Sequence, residues 1–272
     1  MAEPDYAAMK SRSADLWALG DYAKIADLLR PAARALADAC AISAGQEVLD
    51  VAAGNGNLAV FAGEEGASVV ASDLAPAQVE LGRARTEAEG LDVEWVVADA
   101  EDLPFEDDRF DCVASVFGAM LAPRPELAAR EMFRVVKAGG TVGMAVWGPY
   151  GSQGEVFERM STIAPPLPEG VPSPRDWGLE EIARERLEPL ASSLQLERRT
   201  MRWEFDSREQ VFATLESAGP GAAARSAVPA ETLERCARDV AAIVDRYNQA
   251  DGGDGRVVVE PEYLQIVARK RG

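Results

Sequence analysis

The chain has 272 residues, 47 % of them hydrophobic, and a formal net charge of −18. That length suits one α/β domain with insertions or a core plus a small cap, and the apolar content supports a sizeable buried core, which excludes a globally disordered chain. A surface this acidic repels phosphate backbones and anionic lipid heads, so neither nucleic acid nor a membrane is expected as a partner.

The sequence contains no histidine, which removes the commonest metal ligand and the commonest general base. Cys40, Cys112 and Cys236 each fall in an apolar periodic stretch, with no CxxC or Cys/His spacing. They are expected to be buried free thiols of a reducing, cytoplasmic setting. No basic-then-apolar leader opens the sequence, and no apolar run approaches the ~20 residues that span a bilayer. No metal is expected, and the chain is expected to be a monomer or a homodimer.

In chain order, Ile25, Leu28, Leu29, Ala32, Leu36 and Ala39 follow helical spacing, interrupted by Pro31, which predicts two short helices or a kink. Residues 47–53, EVLDVAA, read as a first strand, followed by a glycine turn and a helix over 54–66. Strand 2 (67–73) ends on an acid, Pro76 opens a helix stopped at Gly90, and strand 3 covers 92–99. Strand 4 is read at 109–117, a helix at 125–137, a turn at Ala138-Gly139-Gly140 and strand 5 at 141–147. This alternation predicts a parallel sheet with helices on both faces. Six prolines between residues 149 and 174 then exclude regular structure from much of that stretch. A strand over 196–205, helices over 207–218 and 229–248 around a Gly/Ala turn, and a strand-like tail bent at Pro261 complete the reading.

The chemistry concentrates in VLDVAAGNGNLA, residues 48–59. Gly54 and Gly56 sit in a strand-to-helix turn, where missing Cβ atoms permit unusual φ/ψ values and close approach of a ligand. Gly54-x-Gly56-x-x-Ala59 also fits a dinucleotide fingerprint, with Asp73 near the expected distance for a ribose acid. Asp50, inside strand 1, separates the two readings. A carboxylate there would repel a pyrophosphate, whereas a ligand carrying an ammonium and a sulfonium favours it. Asp73 at the end of strand 2 can accept both ribose hydroxyls, and Leu74 can cover an adenine face. Asp99 can accept from an adenine amino group while the Ala100 N–H faces a ring nitrogen.

At these residues the sequence resembles the class I S-adenosylmethionine-dependent methyltransferases, of the branch similar to ubiquinone/menaquinone-biosynthesis and small-molecule enzymes. The resemblance runs through VLDVAAGNGN, SDLAPAQVELGRAR (72–85), ADAEDLPFEDDRFDCVAS (98–115) and REMFRVVKAGGTVGMAVW (130–147). Ala52 and Ala53 stand where the family often has Gly and Cys, Asn55 where it has Thr or Ser, and Gln78 where Met often lies against the adenine. The resemblance implies a Rossmann-like α/β fold with a seven-stranded, mostly parallel sheet, one strand antiparallel, helices on both faces and a helical or irregular cap. It implies S-adenosylmethionine as cofactor, S-adenosylhomocysteine as product and a small-molecule acceptor, the methylated atom being O, N or C. Asp50, Ala52, Gly54, Asn55 and Gly56 would line the methionine part, with Ser115 and Val116 flanking it. Asp73 would hold the ribose, and Leu74, Gln78, Asp99 and Ala100 the adenine.

Trp17 and Tyr22, an aromatic pair around a glycine ahead of strand 1, are expected to close the pocket, Tyr22 reaching the methionine carboxylate. Phe117, Met120, Trp147 and Tyr150 are expected to face the acceptor, and Tyr150 and Asp176 are the candidate bases. The expected organisation is N-terminal helices over 1–44, a cofactor-binding core over 45–147, a core strand with cap insertions over 148–255 and a closing strand over 256–272. Two other classes stay open: a cofactor-binding fold without methyl transfer, such as a cyclase or a binding protein, and a nicotinamide oxidoreductase.

Overall fold

A computed structural model describes residues 4–250 and 255–272. Helices α1 (Tyr6–Trp17) and α2 (Ala23–Ala39) precede the sheet, which begins with β1 (Glu47–Val51). There follow α3 (Asn57–Glu64), β2 (Ser68–Asp73), α4 (Pro76–Ala88), β3 (Val93–Val97), β4 (Phe110–Val116), α5 (Pro125–Val135) and β5 (Val136–Trp147). The second half holds α6 (Gly151–Ser161), α7 (Glu180–Leu187), β6 (Ala191–Thr200), β7 (Trp203–Phe205), α8 (Arg208–Leu215), α9 (Gly219–Ala227), α10 (Ala230–Tyr247), β8 (Val257–Val259) and β9 (Glu262–Lys270).

Seven strands form one sheet in the order β3-β2-β1-β4-β5-β9-β6. The pairs from β3 to β5 are parallel, and β9 runs antiparallel to both of its neighbours. β1 lies at the point where the strand order reverses, and its Val48, Leu49, Asp50 and Val51 are all buried. A strand covered on both faces needs such a near-continuous apolar run, and Asp50 is the exception inside it. At a reversal point the loops beyond the carboxyl ends of neighbouring strands diverge and leave a crevice. α2 presents Ala26, Leu29, Ala32, Ala33, Leu36 and Ala37 to the core as one stripe. Cys40, Cys112 and Cys236 are buried free thiols, as expected. Among the described residues no helix is long and apolar enough to cross a membrane.

Several elements differ from expectation. α2 is a single helix containing Pro31. Proline removes one backbone donor, and side-chain donors brace that turn: Asn57 Nδ2 donates to the Ala26 carbonyl at 2.7 Å and Trp203 Nε1 to that of Leu28 at 2.8 Å. The strand read at 196–205 starts earlier and splits. β6 pairs with β9, while β7 turns away to pair with β8 in a second, two-stranded sheet. The expected Gly/Ala turn is helix α9, opened by proline within its first turn and continued by three alanines, the best helix formers. The turn read at 138–140 lies inside β5, whose pairing with β4 is irregular there. α7 was not foreseen; it buries only Ala183 and Leu187, too weak an apolar pattern to stand out.

The segments outside the parallel strands meet the carboxyl ends of β1 and β5. Gly178 packs so closely on Gly148 that a Cβ would lie 2.1 Å from its Cα. Trp203 meets Trp147 edge-on at 6.0 Å. The linker after α1 forms a bridge from Gly20 to Ala218, at the start of α9.

Candidate functional site

β1 delivers the chain into a turn, Ala52 to Gly56, where three residues adopt left-handed φ: Ala52 at +52°, Gly54 at +57° and Gly56 at +86°. The absent Cβ atoms at the two glycines serve different neighbours. A Cβ on Gly54 would lie 2.8 Å from Tyr22 Cε1, so this glycine admits the Tyr22 ring. A Cβ on Gly56 would lie 2.8 Å from Trp95 Cζ2, so Gly56 serves packing against β3. Ala52 keeps its Cβ in a region that costs an L-residue about 1–2 kcal/mol, a strain glycine would not carry.

Three carboxylates stand at or near the carboxyl ends of the first three strands: Asp50 one residue before the end of β1, Asp73 at the end of β2 and Asp99 two residues past β3. Asp50 is 1 % exposed. Its Oδ2 accepts the Ala59 N–H at 3.0 Å, whereas Oδ1 is buried with no partner. Burial pushes this carboxyl up to about 8, with the Asp73 charge adding to the shift and the Ala59 hydrogen bond opposing it. Asp73 accepts from Gly54 N and Ala75 N, each at 2.9 Å. Burial raises its pKa as well, against these backbone hydrogen bonds. Asp99 accepts from Glu101 N at 2.9 Å and from Lys10 Nζ at 2.5 Å. Lys10 also reaches Glu101 Oε2 at 2.9 Å, and the Arg124 guanidinium binds the same oxygen at 2.7 Å.

Trp17 and Tyr22 meet edge to face at 5.7 Å beside the turn. Gln78 is buried; its Nε2 donates to the Trp17 carbonyl at 2.6 Å and its Oε1 lacks a partner. Burial, together with the charges of Asp73 and Asp50, drives the Tyr22 phenol far up, so it remains protonated. Leu74 and Ala100 are half-buried beside Asp73 and Asp99.

Other expected site residues are engaged elsewhere. The side-chain and backbone oxygens of Asn55 both accept from Arg85, which braces the turn from α4. Ser115 Oγ accepts the Ala119 N–H at 2.8 Å and closes the turn after β4. Met120 is buried, its Sδ against the Trp147 N–H at 3.3 Å. Val116 packs on the core. Phe117 has a left-handed φ of +58° and stacks on Trp147 with centroids 4.2 Å apart. Neither candidate base is free: Tyr150 Oη donates to the Gly178 carbonyl at 2.9 Å, and Asp176 accepts the Ser173 N–H in a capping box.

Sequence reasoning missed Lys10, Glu101, Arg85 and Gly118. The first three act through contacts distant in sequence, which no local spacing encodes. Gly118 lies against the turn, where a Cβ would fall 2.2 Å from the Ala52 carbonyl oxygen.

Residues 48–140 match the methyltransferase-domain family. An uncharacterized protein of Mycobacterium tuberculosis strain H37Rv is 35 % identical over 264 residues, spanning 94 % of this chain and 93 % of its own length. A second protein of that strain is 43 % identical over 167 residues, so the chain spans about three fifths (61 %) of that relative's length and 61 % of itself is covered. The demethylmenaquinone methyltransferase of Clavibacter sepedonicus is 42 % identical over 99 residues, 36 % of this chain and 40 % of its own length. The crystal structure of the YcgJ protein from Bacillus subtilis shares the fold, with a TM-score of 0.58 at 20 % identity over 89 % of this chain and 99 % of that one. The family match begins in β1 and ends inside β5, taking in the turn and all three strand-end acids, and the chain belongs to the class I S-adenosylmethionine-dependent methyltransferases.

Proposed function

We propose that the chain binds S-adenosylmethionine at the turn after β1 and transfers its methyl group to a small-molecule acceptor, a metabolite or natural product. The observation that carries this reading is the pair of orphaned buried oxygens, Asp50 Oδ1 and Gln78 Oε1. Buried polar atoms normally have partners, and two unpaired buried acceptors, one in β1 and one in α4, call for a ligand that donates. The cofactor brings an ammonium, two ribose hydroxyls and an adenine amino group, all donors. A pyrophosphate would instead meet the Asp73 carboxylate and could offer Asp50 no cation, so the site fits this cofactor and disfavours a dinucleotide.

Asp50, Ala52 and Gly54 line the methionine part, with Tyr22 folded over Gly54. Asp73 takes the ribose hydroxyls. Its two oxygens already accept backbone N–H groups, but each oxygen holds a second lone pair. Leu74 and Gln78 flank the adenine, and Asp99 with Ala100 meets its edge. The cofactor supplies a methyl group on a sulfonium, already a good leaving group. The protein's work is to hold an acceptor lone pair in line at about 3–3.5 Å and to exclude water. Phe117 and Trp147 form the wall facing the acceptor, and segments 148–190 and 206–250, with the N-terminal helices, form the cover over it.

Tyr150 is engaged as a donor and the Tyr22 phenol stays protonated, so of the candidate bases only the Asp176 carboxylate, which accepts one N–H from Ser173, keeps lone pairs for a proton. The acceptor is one that needs no strong base, such as an amine, a phenol of low pKa or an activated carbon, or one deprotonated by a carboxylate or tyrosine. The test of the cofactor site is Asp73→Ala. Loss of charge-assisted hydrogen bonds worth about 1.5–3 kcal/mol should weaken S-adenosylmethionine binding roughly ten- to a hundredfold by calorimetry. Unchanged affinity would remove the ribose assignment.

A further inference from the structure

A carboxyl group sealed from water beside a second carboxylate raises the question of what balances its charge. Asp50 is the last residue but one of β1, between Ala71 of β2 and Ala114 of β4, both apolar. α3 gives it one backbone N–H, from Ala59. β2 contributes the side chain of Asp73, which is acidic, and the chain ahead of α2 contributes the neutral Tyr22 phenol. No basic side chain pairs with Asp50 among the described residues, and Lys10 and Arg85, which reach the neighbouring acid and turn, are committed to Asp99 and Glu101 and to Asn55, Asn57 and Glu89. An ionised Asp50 would thus face one hydrogen-bond donor and a like charge, with Oδ1 bare. A protonated Asp50 faces no such penalty.

We propose that Asp50 holds a proton in the cofactor-free chain and releases it when the cofactor's ammonium arrives, so that the methionine end is recognised by an exchange of one proton for one cation. The inference rests on the cofactor reading above and extends it. The balance is simple. A neutral carboxylic acid and an ammonium ligand become a carboxylate–ammonium pair, and one proton leaves to the buffer. The charge of the Asp50–ammonium pair stays at zero, because the proton departs as the ammonium enters, and the ligand's sulfonium and carboxylate offset each other. The upward shift of the Asp50 carboxyl, caused first by burial, agrees with this state.

The exchange makes Asp50 a discriminator. A ligand with the whole nucleoside but no amino acid gives Asp50 no reason to ionise. A ligand with the ammonium gains a buried charge-assisted partner, but below the carboxyl's own ionisation range it must first displace the proton. Its affinity therefore tightens about tenfold per pH unit across that range.

The test is titration calorimetry of the full chain at pH 6.5, where an α-amino group, with pKa about 7.7–8.0, is still protonated in the free ligand. Measurement in two buffers of different ionisation enthalpy gives the protons released per ligand bound. The expected result is about one proton per S-adenosylmethionine. None is expected for 5′-methylthioadenosine, which keeps adenine and ribose but lacks the amino acid, and none for S-adenosylmethionine on Asp50→Asn. Binding of S-adenosylmethionine without proton release overturns the proposal while leaving the cofactor site intact. Equal release with 5′-methylthioadenosine also overturns it, because the proton then comes from the ribose acid, Asp73. No binding of any of these ligands would overturn the cofactor reading and the proton exchange with it. If Asp50→Asn does not fold, the comparison of the two ligands on the wild-type chain decides alone.

Discussion

Gly54→Ala is a perturbation whose cost divides into two separable parts. The residue sits at φ +57°, so any Cβ carries a left-handed penalty of about 1–2 kcal/mol. The same Cβ would lie 2.8 Å from Cε1 and 3.1 Å from Oη of Tyr22, closer than carbon contacts allow. Pushing that ring aside adds the usual overpacking cost of about 1–3 kcal/mol. The expected total is therefore about 2–5 kcal/mol in urea unfolding at constant m-value. In a Tyr22→Ala background the ring is gone, and only the backbone part, about 1–2 kcal/mol, should remain. The coupling between the two positions is then about 1–3 kcal/mol, within the range found for residues in contact. If Gly54→Ala costs the same in both backgrounds, Tyr22 does not lie on the turn and cannot close the cofactor site.

Ala52→Gly should relieve the strain at φ +52°; against this stands glycine's entropic cost of about 0.5–1 kcal/mol, so a net gain of up to ~1 kcal/mol is expected in thermal unfolding. A loss of stability would mean that the Ala52 methyl's contact beside Gly118 outweighs the strain. Asp50 should give the chain a distinctive pH dependence. Its carboxyl is raised from the ordinary carboxylate range to about 8 in the folded chain, so the folded state holds a proton that the unfolded state releases. The stability this contributes is complete below pH ~4 and is lost at about 1.4 kcal/mol per pH unit as pH climbs to about 8. Urea unfolding of Asp50→Asn between pH 5 and 8 should lack that component, and parallel profiles for the two chains would contradict the buried, protonated acid.

The sequence made the parallel half of the fold legible because each strand there is a short apolar run closed by a turn signal. β1, β2 and β4 end within two residues of where hydrophobic pattern and glycine punctuation put them. Asp50, Asp73 and Asp99 were equally legible, since a carboxylate at a strand's carboxyl end stands out against the apolar residues before it. What was not legible depended on tertiary partners. Gly56 looked like room for a ligand, but the space is taken by Trp95, a residue whose approach across the turn has no local signature. Asn55, Ser115 and Met120 each accept from a donor within the protein: Arg85, the Ala119 N–H and the Trp147 N–H. Pro31 leaves two short helices or a kink open in the sequence, and tertiary donors from Asn57 and Trp203 support one helix across it. Beyond residue 190, β7 and β8 are three residues each, too short for period-2 alternation to register.

The most direct test of the account is calorimetric titration of the purified chain with S-adenosylhomocysteine and, separately, with NAD. The site's unpaired acceptors, Asp50 Oδ1 and Gln78 Oε1, predict saturable binding of S-adenosylhomocysteine, weakened roughly ten- to a hundredfold in Asp73→Ala, and no heat with NAD. Saturable binding of NAD, or no binding of S-adenosylhomocysteine to the folded chain, would contradict it.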